Sequence, residues 1–414
     1  LALEPEMARR LDSAPMGNAQ LRPLSGAPRA VQQDPVEYEA RESDHNKSVD
    51  NEFWSRKKGE SLDMPDKQFQ GAGTYDVIGA GGSGGAHGAR TGGSFAGRAA
   101  APDSPLLRGL KWLAKNQHAD GSWGEQGCEM ETTGYALLAF LGAGYYHGSK
   151  ETHDGICFGE VVKNALKYLM GHQDTEGCLA PRRGEYMDDH LPAALALCEA
   201  YGLSGSDLLK APAQKAFDFT MAAQNDGGGW GYLPKDGRSN SLTTGLAVMV
   251  MKSAELSGLN LSADCYARTR NWFDSVTNDQ NHLVGFASKS DQGKSPGADA
   301  KFADHPTATA MALSSHILGD KNRTGAPKEW AAILSADLPR WEEASTDAEY
   351  WYFATLAISH YDPRGPIQTK WNTALKEVIV RNQGEGWKPI GRLAGKGSAH
   401  TTALNTLTLT ILGR

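Results

Sequence analysis

The sequence predicts an all-α protein: an (α/α)6 toroid of six helix pairs over residues 104–414, preceded by an extended, irregular N-terminal arm over residues 1–103. The first observation behind this prediction is a turn motif that recurs about every fifty residues. The second is that each turn joins an amphipathic helical pattern to one that is apolar on nearly every side. The third is the distribution of glycine: 11 of the 48 glycines lie within residues 71–100, so this N-terminal region differs in composition from the rest of the chain.

The arm, residues 1–103, is polar, and proline residues are scattered through its first two thirds. Such a segment has too little apolar surface to offset the entropy of ordering it. An arm that cannot order itself becomes ordered only against another surface. We therefore expect residues 1–100 to be held by docking on the toroid, on a neighbouring copy or on another protein. A protein partner or a homo-oligomeric assembly through this segment is the interaction that the sequence predicts.

One motif in the arm imitates a cofactor site. Gly79-Ala-Gly81-Gly-Ser-Gly84 has the spacing of a dinucleotide-binding loop, which requires a helix directly after the glycines to receive the pyrophosphate. The residues that follow are themselves rich in glycine and cannot hold a helix. We interpret the segment as a linker and predict no cofactor.

Charge and hydropathy exclude two classes of partner. The formal net charge is −7 with cations and acids interspersed, so the chain has no basic stripe for nucleic acid. The longest apolar run, Tyr135 to Tyr146, is broken by two glycines and is too short for a transmembrane span. The first residue is Leu1 rather than Met, from which we expect an extracytoplasmic protein whose upstream segment has been removed.

Four turns carry the repeat most clearly, and each begins with a glutamine. They run from Gln117 to Trp123, from Gln173 to Cys178, from Gln224 to Trp230 and from Gln383 to Trp387. The glutamines are 56, 51 and 159 residues apart, so the last interval holds two further, degenerate copies. We expect these copies at residues 266–286 and 328–334, which makes six units in all.

The helix that follows each turn is apolar on nearly every side, as in the stretches Tyr135 to Leu141 and Leu246 to Met251. A helix that is apolar all round is buried all round. In an open solenoid of helix pairs, the inner helices would keep one solvated face. The apolar inner helices therefore favour a closed ring.

These turns resemble the glutamine–tryptophan repeats of the terpenoid cyclase and protein prenyltransferase superfamily. Its members include squalene–hopene cyclases and bacterial proteins with prenyltransferase and squalene oxidase repeats, and the resemblance covers residues 104–414. It implies that the glutamines tie helix ends together and that the tryptophans stack on the outer layer. The residues assigned to this scaffold are Gln117, Trp123, Gln173, Gln224, Trp230, Gln383 and Trp387.

In such a toroid the inner helices run the same way, so their N-termini meet at one rim. Polar side chains in the first turns ordinarily cap their own helices. Aromatic residues at the same rim either pack in the core or line a pocket that admits a small apolar ligand. The rim and pocket residues predicted in this way are Tyr186, Thr133, Thr244, His305, Tyr352 and His400.

Histidines open three alternate inner helices: His190, His305 and His400. Three histidines that converge on one rim suit a metal or an anion, and the alternative is that each caps its own helix. No carboxylate that would orient them is visible in the sequence, so we predict no metal site. Cys128 and Cys178 lie in neighbouring turns at the same rim, and both a disulfide and two free thiols stay open.

The resemblance also suggests a catalytic motif. Class II terpene cyclases protonate their substrate with an Asp-x-Asp-Asp motif, and the matching place here reads Tyr186-Met-Asp188-Asp189-His190. Two of the three carboxylates are present, and tyrosine replaces the first. In an enzyme of this kind Asp188 would be the general acid, with Asp189 and His190 as its partners.

Three functional hypotheses follow from the sequence. The first is a non-catalytic binding or structural protein that assembles through its N-terminal arm. The alternative is a class II cyclase-like enzyme that acts on an isoprenoid or another apolar substrate with Asp188 as general acid. A third is a polysaccharide-active toroid that uses the pair Asp188 and Asp189. An enclosed apolar pocket at Asp188 would favour the cyclase, and a ring filled by side chains would count against it.

Overall fold

We analysed a computed structural model, which describes residues 104–261, 265–294, 299–320 and 323–412. The predicted arm and its docking through residues 1–100 lie outside these residues, and the boundary at residue 104 stays a prediction. The described part is the predicted (α/α)6 toroid, with outer and inner helices in strict alternation.

The six outer helices carry odd numbers. They are α1 Pro105–Lys115, α3 Phe158–His172, α5 Asp207–Ala222, α7 Cys265–Val276, α9 Ala326–Ala336 and α11 Pro366–Arg381. The six inner helices carry even numbers. They are α2 Glu129–Gly142, α4 Met187–Ser204, α6 Ser241–Leu256, α8 Thr307–Asp320, α10 Ala348–Tyr361 and α12 Gly397–Leu412.

Two short elements complete the fold. Strands β1 Thr152–His153 and β2 Ile156–Cys157 form an antiparallel hairpin between α2 and α3. A 3-10 helix, Gly391–Lys396, directly precedes α12. Neither element was expected from the sequence, because both depart from the repeating unit. Within the described residues, no helix combines the length and the apolar character that crossing a membrane requires.

The inner helices form a closed ring, as the sequence predicts. Each packs against the next, and α12 packs against α2. Small residues allow close contact at the seams: a Cβ on Gly134 of α2 would stand 2.7 Å from the backbone of Pro192 in α4, and one on Gly142 would stand 2.9 Å from Thr410 in α12. Outer helix α1 also packs on α12, so the first repeat covers the last.

The glutamines of the turns link neighbouring repeats. Gln117 donates its side-chain amide to the carbonyl oxygens of Gly121 in its own turn and Val161 in α3, both at 2.9 Å. Gln173 bonds Pro212 of α5 at 3.0 Å in the same way, and Gln383 bonds Pro105 of α1 at 2.8 Å. The last of these bonds joins the sixth repeat to the first.

The tryptophans of the turns fix each turn to its own outer helix. Trp123 donates its indole N–H to Leu113 at 2.7 Å, and Trp230 donates to Thr220 at 2.7 Å. Trp387 makes the equivalent bond to Ile379 at 2.9 Å. Gln224 differs from the other glutamines in that its described bond, to Gly228 at 2.9 Å, stays within its own turn. All seven predicted scaffold residues thus make scaffold contacts.

One glycine in each of three turns has a left-handed backbone and lies directly against the next outer helix. Gly177 has φ +99°, and a Cβ there would stand 2.1 Å from the carbonyl oxygen of Lys215 in α5. Gly121 and Gly228 occupy the same place in their turns, with φ +94° and +87°. A side chain at this position is opposed both by the backbone conformation and by the contact.

The two costs can be separated by substitution. Gly184→Ala meets the left-handed backbone alone, since φ is +60° and nothing lies within 4 Å of the added Cβ. We expect it to lower the free energy of unfolding by about 1 kcal/mol. Gly177→Ala adds the clash and should cost about 3 kcal/mol. Chemical denaturation of both variants measures the difference, and equal losses would show that the neighbouring helix yields at no cost.

Candidate functional site

A side chain in the first turn of most inner helices accepts a hydrogen bond from the backbone of the turn before it. Thr133 accepts the N–H of Trp123 at 3.0 Å, and Thr244 accepts that of Trp230 at 2.9 Å. Equivalent bonds run from Trp387 to Thr402, from Val284 to Thr309 and from Leu179 to His190. We call these acceptors the pins. Thr133 and Thr244, predicted as rim or pocket residues, are pins and are fully buried.

His190 is the pin of the second repeat, which explains why a histidine stands there. Its Nδ1 accepts the N–H of Leu179 at 3.2 Å, and its Nε2 contacts the hydroxyl of Thr220 in α5 at 3.0 Å. Burial lowers its pKa to about 3, so the ring is neutral. The structure therefore does not place His190 as the partner of Asp188; the ring points outward to α5.

His305 also has a structural role. Its Nδ1 lies 2.6 Å from a carboxylate oxygen of Asp337, and its Nε2 lies 2.9 Å from the carbonyl oxygen of Ser345. The ring stacks on Tyr350 with centroids 4.7 Å apart. Although burial opposes it, the Asp337 carboxylate raises the pKa of His305. His305 joins the loop before α8 to the fifth repeat and is not part of the group described next.

Four carboxyl groups gather where the inner helices begin, on three different helices. Glu131 and Asp188 each lie two residues before the pin of their repeat, and His400 has the same position before Thr402. Asp189 follows Asp188 in the first turn of α4, and Glu349 lies in the first turn of α10. We call Glu131, Asp188, Asp189 and Glu349 the acidic rim.

Two cations reach the acidic rim from the 3-10 helix before α12. Lys396 forms an ion pair with Glu131 at 2.5 Å. Arg392 pairs with both Asp347 and Glu349, each at 2.6 Å. Although burial opposes it, Glu131 and Glu349 raise the pKa of Lys396, so it stays charged. The ion pairs fix the positions of the Glu131 and Glu349 side chains.

Asp188 and Asp189 lack such a cation and are half-buried. Burial, with the charges of Glu131 and Glu349, raises the pKa of Asp188 to about 7, and its described hydrogen bond comes from the hydroxyl of Thr243 at 3.3 Å. Burial and Glu131 raise the pKa of Asp189 to about 6. The acidic rim therefore combines two carboxyls with a raised pKa, Asp188 and Asp189, with two that are ion-paired, Glu131 and Glu349.

Two buried polar atoms have no hydrogen-bond partner: the hydroxyl of Tyr135, one turn after Glu131 in α2, and Nε2 of His400, at the same position of its repeat as Glu131. Their rings meet edge to face at 5.6 Å, and Nδ1 of His400 contacts the Thr132 hydroxyl at 3.2 Å. Burial, and after it the charges of Glu349, Glu131 and Asp188, raise the pKa of Tyr135. Burial lowers the pKa of His400 to about 3, so this ring is neutral.

The space below this level is filled. Tyr352 lies on α10 one turn below Glu349, its ring is 6.5 Å from that of Tyr135, and both side chains are fully buried. Tyr186 caps the start of α4 and is almost fully buried against the core. The predicted pocket aromatics therefore pack against the core, and the described residues leave no room for an isoprenoid chain between Tyr135 and Tyr352.

Metal and disulfide chemistry do not define this site. The described residues contain no group of three or more histidine, cysteine, aspartate or glutamate side chains placed to hold a metal ion. Cys128 and Cys178 are both free thiols. Burial raises the pKa of Cys178 to about 12, and its thiol donates to the carbonyl oxygen of Ala180 at 3.4 Å.

Sequence reasoning found Asp188 and Asp189 but missed Glu131, Glu349, Tyr135 and the two cations. The repeat register carries a usable signal for Glu131. Aligned on their pins, the repeats place Glu131, Asp188 and His400 at one position, whereas the third repeat has Leu242 there. Arg392 and Lys396 lie in the 3-10 helix before α12, an element that the other described repeats do not show, so the repeat pattern does not predict them.

Solved structures share the toroid at low sequence identity. One is an inactive variant of the α-1,6-mannanase GH76A of Salegentibacter sp. HEL1_6, in which adjacent aspartates are replaced by asparagine and α-1,6-mannotriose is bound. It is 9% identical to this chain with a TM-score of 0.52, and the match covers 74% of this chain and 98% of that chain. The GH76 α-mannanase of Bacteroides thetaiotaomicron is 12% identical with a TM-score of 0.53, covering 75% and 95%. Type II terpene cyclase MstE from Scytonema is 11% identical with a TM-score of 0.50, covering 74% and 97%.

These likenesses show the α/α toroid fold, which glycosidases and a terpene cyclase have in common. The predicted relationship is therefore supported at the level of the toroid. No protein-family model and no curated protein sequence matches this chain.

The raised pKa of Asp188 predicts a specific dependence of stability on pH. The folded protein binds this proton more tightly than the unfolded chain, so stability falls as the pH rises from 3.8 towards 7. Asp188→Asn keeps the neutral shape and removes this loss. We expect it to gain about 1–2 kcal/mol at pH 8 and little at pH 4, by chemical denaturation. Asp279→Asn, at an exposed aspartate paired with Lys289, is the control. A gain of equal size at both pH values would contradict the assignment.

The unpartnered hydroxyl of Tyr135 gives a second prediction. Tyr135→Phe removes a buried polar atom that has no hydrogen bond, so stability should stay within about 0.5 kcal/mol or rise. Tyr350→Phe is the matched control, because that equally buried hydroxyl donates to Asp337 at 3.0 Å. Its loss should cost about 1 kcal/mol in thermal or chemical denaturation. If Tyr135→Phe costs as much as Tyr350→Phe, the Tyr135 hydroxyl has a partner in the folded protein.

Proposed function

We propose that this toroid is a binding protein for a hydroxyl-rich ligand of the saccharide class, which it holds at the acidic rim. The observation that carries the proposal is the convergence of three kinds of polar group at one place. Asp188 can donate a proton, Glu131 and Glu349 accept hydrogen bonds, and the Tyr135 hydroxyl is buried without a partner. A ring of sugar hydroxyls, each both donor and acceptor, matches such a set.

Solvent access supports a polar ligand over an apolar one. Asp188 and Asp189 are half-buried at the rim, where water reaches them. A class II cyclase-like reaction, the alternative that assigns Asp188 as general acid, requires a dry chamber around the isoprenoid. The fully buried Tyr135 and Tyr352 occupy the place where that chamber would begin.

The mannanase neighbour supports the same ligand class. In that protein an inactive variant lacks two adjacent aspartates and holds α-1,6-mannotriose. Asp188 and Asp189 are also adjacent, and they are the carboxyls of the acidic rim that exchange protons near neutral pH. If the bound saccharide is also cleaved, Asp188 is the residue to which we assign the proton transfer.

Binding tests this proposal directly. We expect neutral oligosaccharides, with α-1,6-mannotriose as the first probe and cellotriose and maltotriose beside it, to include a ligand that calorimetry detects at millimolar concentration. Asp188→Asn should weaken that ligand about three- to tenfold, because the half-buried Asp188 carboxyl is a hydrogen-bonding group that solvent reaches at the rim. Tyr352→Phe, which removes a fully buried, unpartnered hydroxyl deeper in the ring, should leave the affinity unchanged.

Two further measurements separate this proposal from its alternative. Release of reducing ends that is lost in Asp188→Asn would add hydrolysis to binding. Detergent-solubilised geranylgeraniol serves as the apolar probe. If it binds and no oligosaccharide does, the saccharide proposal is wrong and the cyclase-like alternative takes its place.

A further inference from the structure

The loop before α8 carries a polar contact that the proposed function does not use. His305, whose side chain is 7% exposed, places Nδ1 2.6 Å from a carboxylate oxygen of Asp337 and Nε2 2.9 Å from the carbonyl oxygen of Ser345. Both partners belong to residues 337–347, which join α9 to α10. We call this segment the fifth turn.

The two oxygens together select the charge of the His305 ring. A backbone carbonyl can only accept a hydrogen bond, and the same holds for an ionised carboxylate. A neutral imidazole has one N–H, so it bonds one of the two oxygens and turns a lone pair towards the other. The protonated ring donates from both nitrogens and bonds both oxygens. Burial opposes this charge, but the Asp337 carboxylate outweighs it and raises the pKa of His305.

The groups around the ring also suit a positive charge. The ring stacks on Tyr350 of α10, with centroids 4.7 Å apart and planes 5° apart. Asp347, the N-cap of α10, supplies a second carboxylate that favours the charged ring. Arg392 pairs with that carboxylate at 2.6 Å. On the loop of the histidine itself, Asp304 pairs with Lys294 at 2.8 Å.

The fifth turn also holds the 3-10 helix before α12. Thr346 accepts the backbone N–H of Arg392 at 3.2 Å, and Asp347 pairs with its guanidinium at 2.6 Å. A Cβ on Gly391 would stand 1.9 Å from the carbonyl oxygen of Thr346, so the two backbones are in direct contact. Arg392 in turn pairs with Glu349 of the acidic rim. The fifth turn therefore connects the histidine to a cation of the rim.

We propose that His305 is a positioning residue for Arg392: its imidazolium clasps the fifth turn, and loss of its proton loosens the turn and the backbone contact that holds Arg392. After deprotonation one N–H remains for two oxygens, so the ring has to separate from either Asp337 or Ser345. The clasp is a property of the chain alone and does not depend on which ligand the toroid binds.

The direction of the pH dependence follows from the raised pKa. The folded protein binds the proton of His305 more tightly than the unfolded chain does. The contribution of the clasp is therefore fully present below pH 6.5, the ordinary value for histidine, and is lost as the pH rises through the pKa of the folded state. Asp188 also titrates near neutral pH, since its pKa is about 7, and a variant at that residue separates the two groups.

NMR of the histidine rings measures the charge. With ¹⁵N-labelled histidine, two-bond ¹⁵N–¹H spectra show whether one or both ring nitrogens carry a proton, and His305→Gln identifies the signals of this ring. We expect both nitrogens of His305 to be protonated at pH 6, with one proton lost at a midpoint above 6.5. A ring that carries a single proton at pH 6 overturns the proposal.

Hydrogen exchange at two amides measures the clasp. The N–H of Ala303 bonds Ala344 at 2.6 Å, and that of Arg392 bonds Thr346 at 3.2 Å. After correction for the intrinsic exchange rate, protection at both amides should fall about tenfold or more as His305 loses its proton, because a hydrogen bond to a charged group is lost. In His305→Gln we expect protection that is lower at pH 6 and no longer falls with pH.

Two further variants make the test specific. Asp337→Asn removes the charge but keeps an acceptor oxygen and the backbone carbonyl that Tyr350 bonds at 3.0 Å. His305 should then lose its proton at a lower pH, and the fall in protection should move with it. Asp188→Asn should leave the fall in place. Protection at Arg392 that stays constant while His305 titrates overturns the proposal, and so does a fall that disappears in Asp188→Asn.

Discussion

The hydrogen bond from the turn to a pin in the next inner helix, described in five of the six repeats, is the constraint on which the rest of the structure depends. It fixes where the inner helix begins relative to the turn, and the turn is itself tied by its glutamine to the following outer helix. Repetition of this arrangement sets the starts of the inner helices at a common level. Residues distant in sequence, such as Glu131 and His400, therefore lie at the same level of the ring.

The same constraint explains why this chain can carry different chemistry from other toroids of its fold. The pins, the glutamines and the tryptophans are committed to the scaffold, and their side chains point away from the ring axis or into the turns. The position two residues before each pin is free of that commitment. It is acidic in the first and second repeats, histidine in the sixth and leucine in the third. The proposed function assigns ligand binding to those few positions.

Much of the fold was predictable because the same pattern, a turn followed by an apolar helix, recurs several times along the chain. The degenerate fourth and fifth copies were placed correctly, as α7 and α9 show, even though neither has the glutamine. The site was less predictable. In the sequence, His190 follows two aspartates directly and resembles a catalytic partner. In the structure its ring accepts a hydrogen bond from Leu179 and contacts Thr220 of the outer helix α5. Lys396 and Arg392 were missed because they lie in a 3-10 helix that the repeat does not predict. Tyr135 was missed because a tyrosine in an apolar helix is interpreted as a core residue.

The 3-10 helix before α12 supplies both cations of the rim from six consecutive residues. The charge at Glu131 and the charge at Glu349 are thus neutralised by one short piece of backbone, although these acids belong to opposite parts of the chain. A displacement of that piece would disturb all three ion pairs, with Glu131, Asp347 and Glu349. The conformation of this single loop therefore sets the electrostatic potential of the rim. A substitution in the loop would change that potential at Glu131 and at Glu349 together.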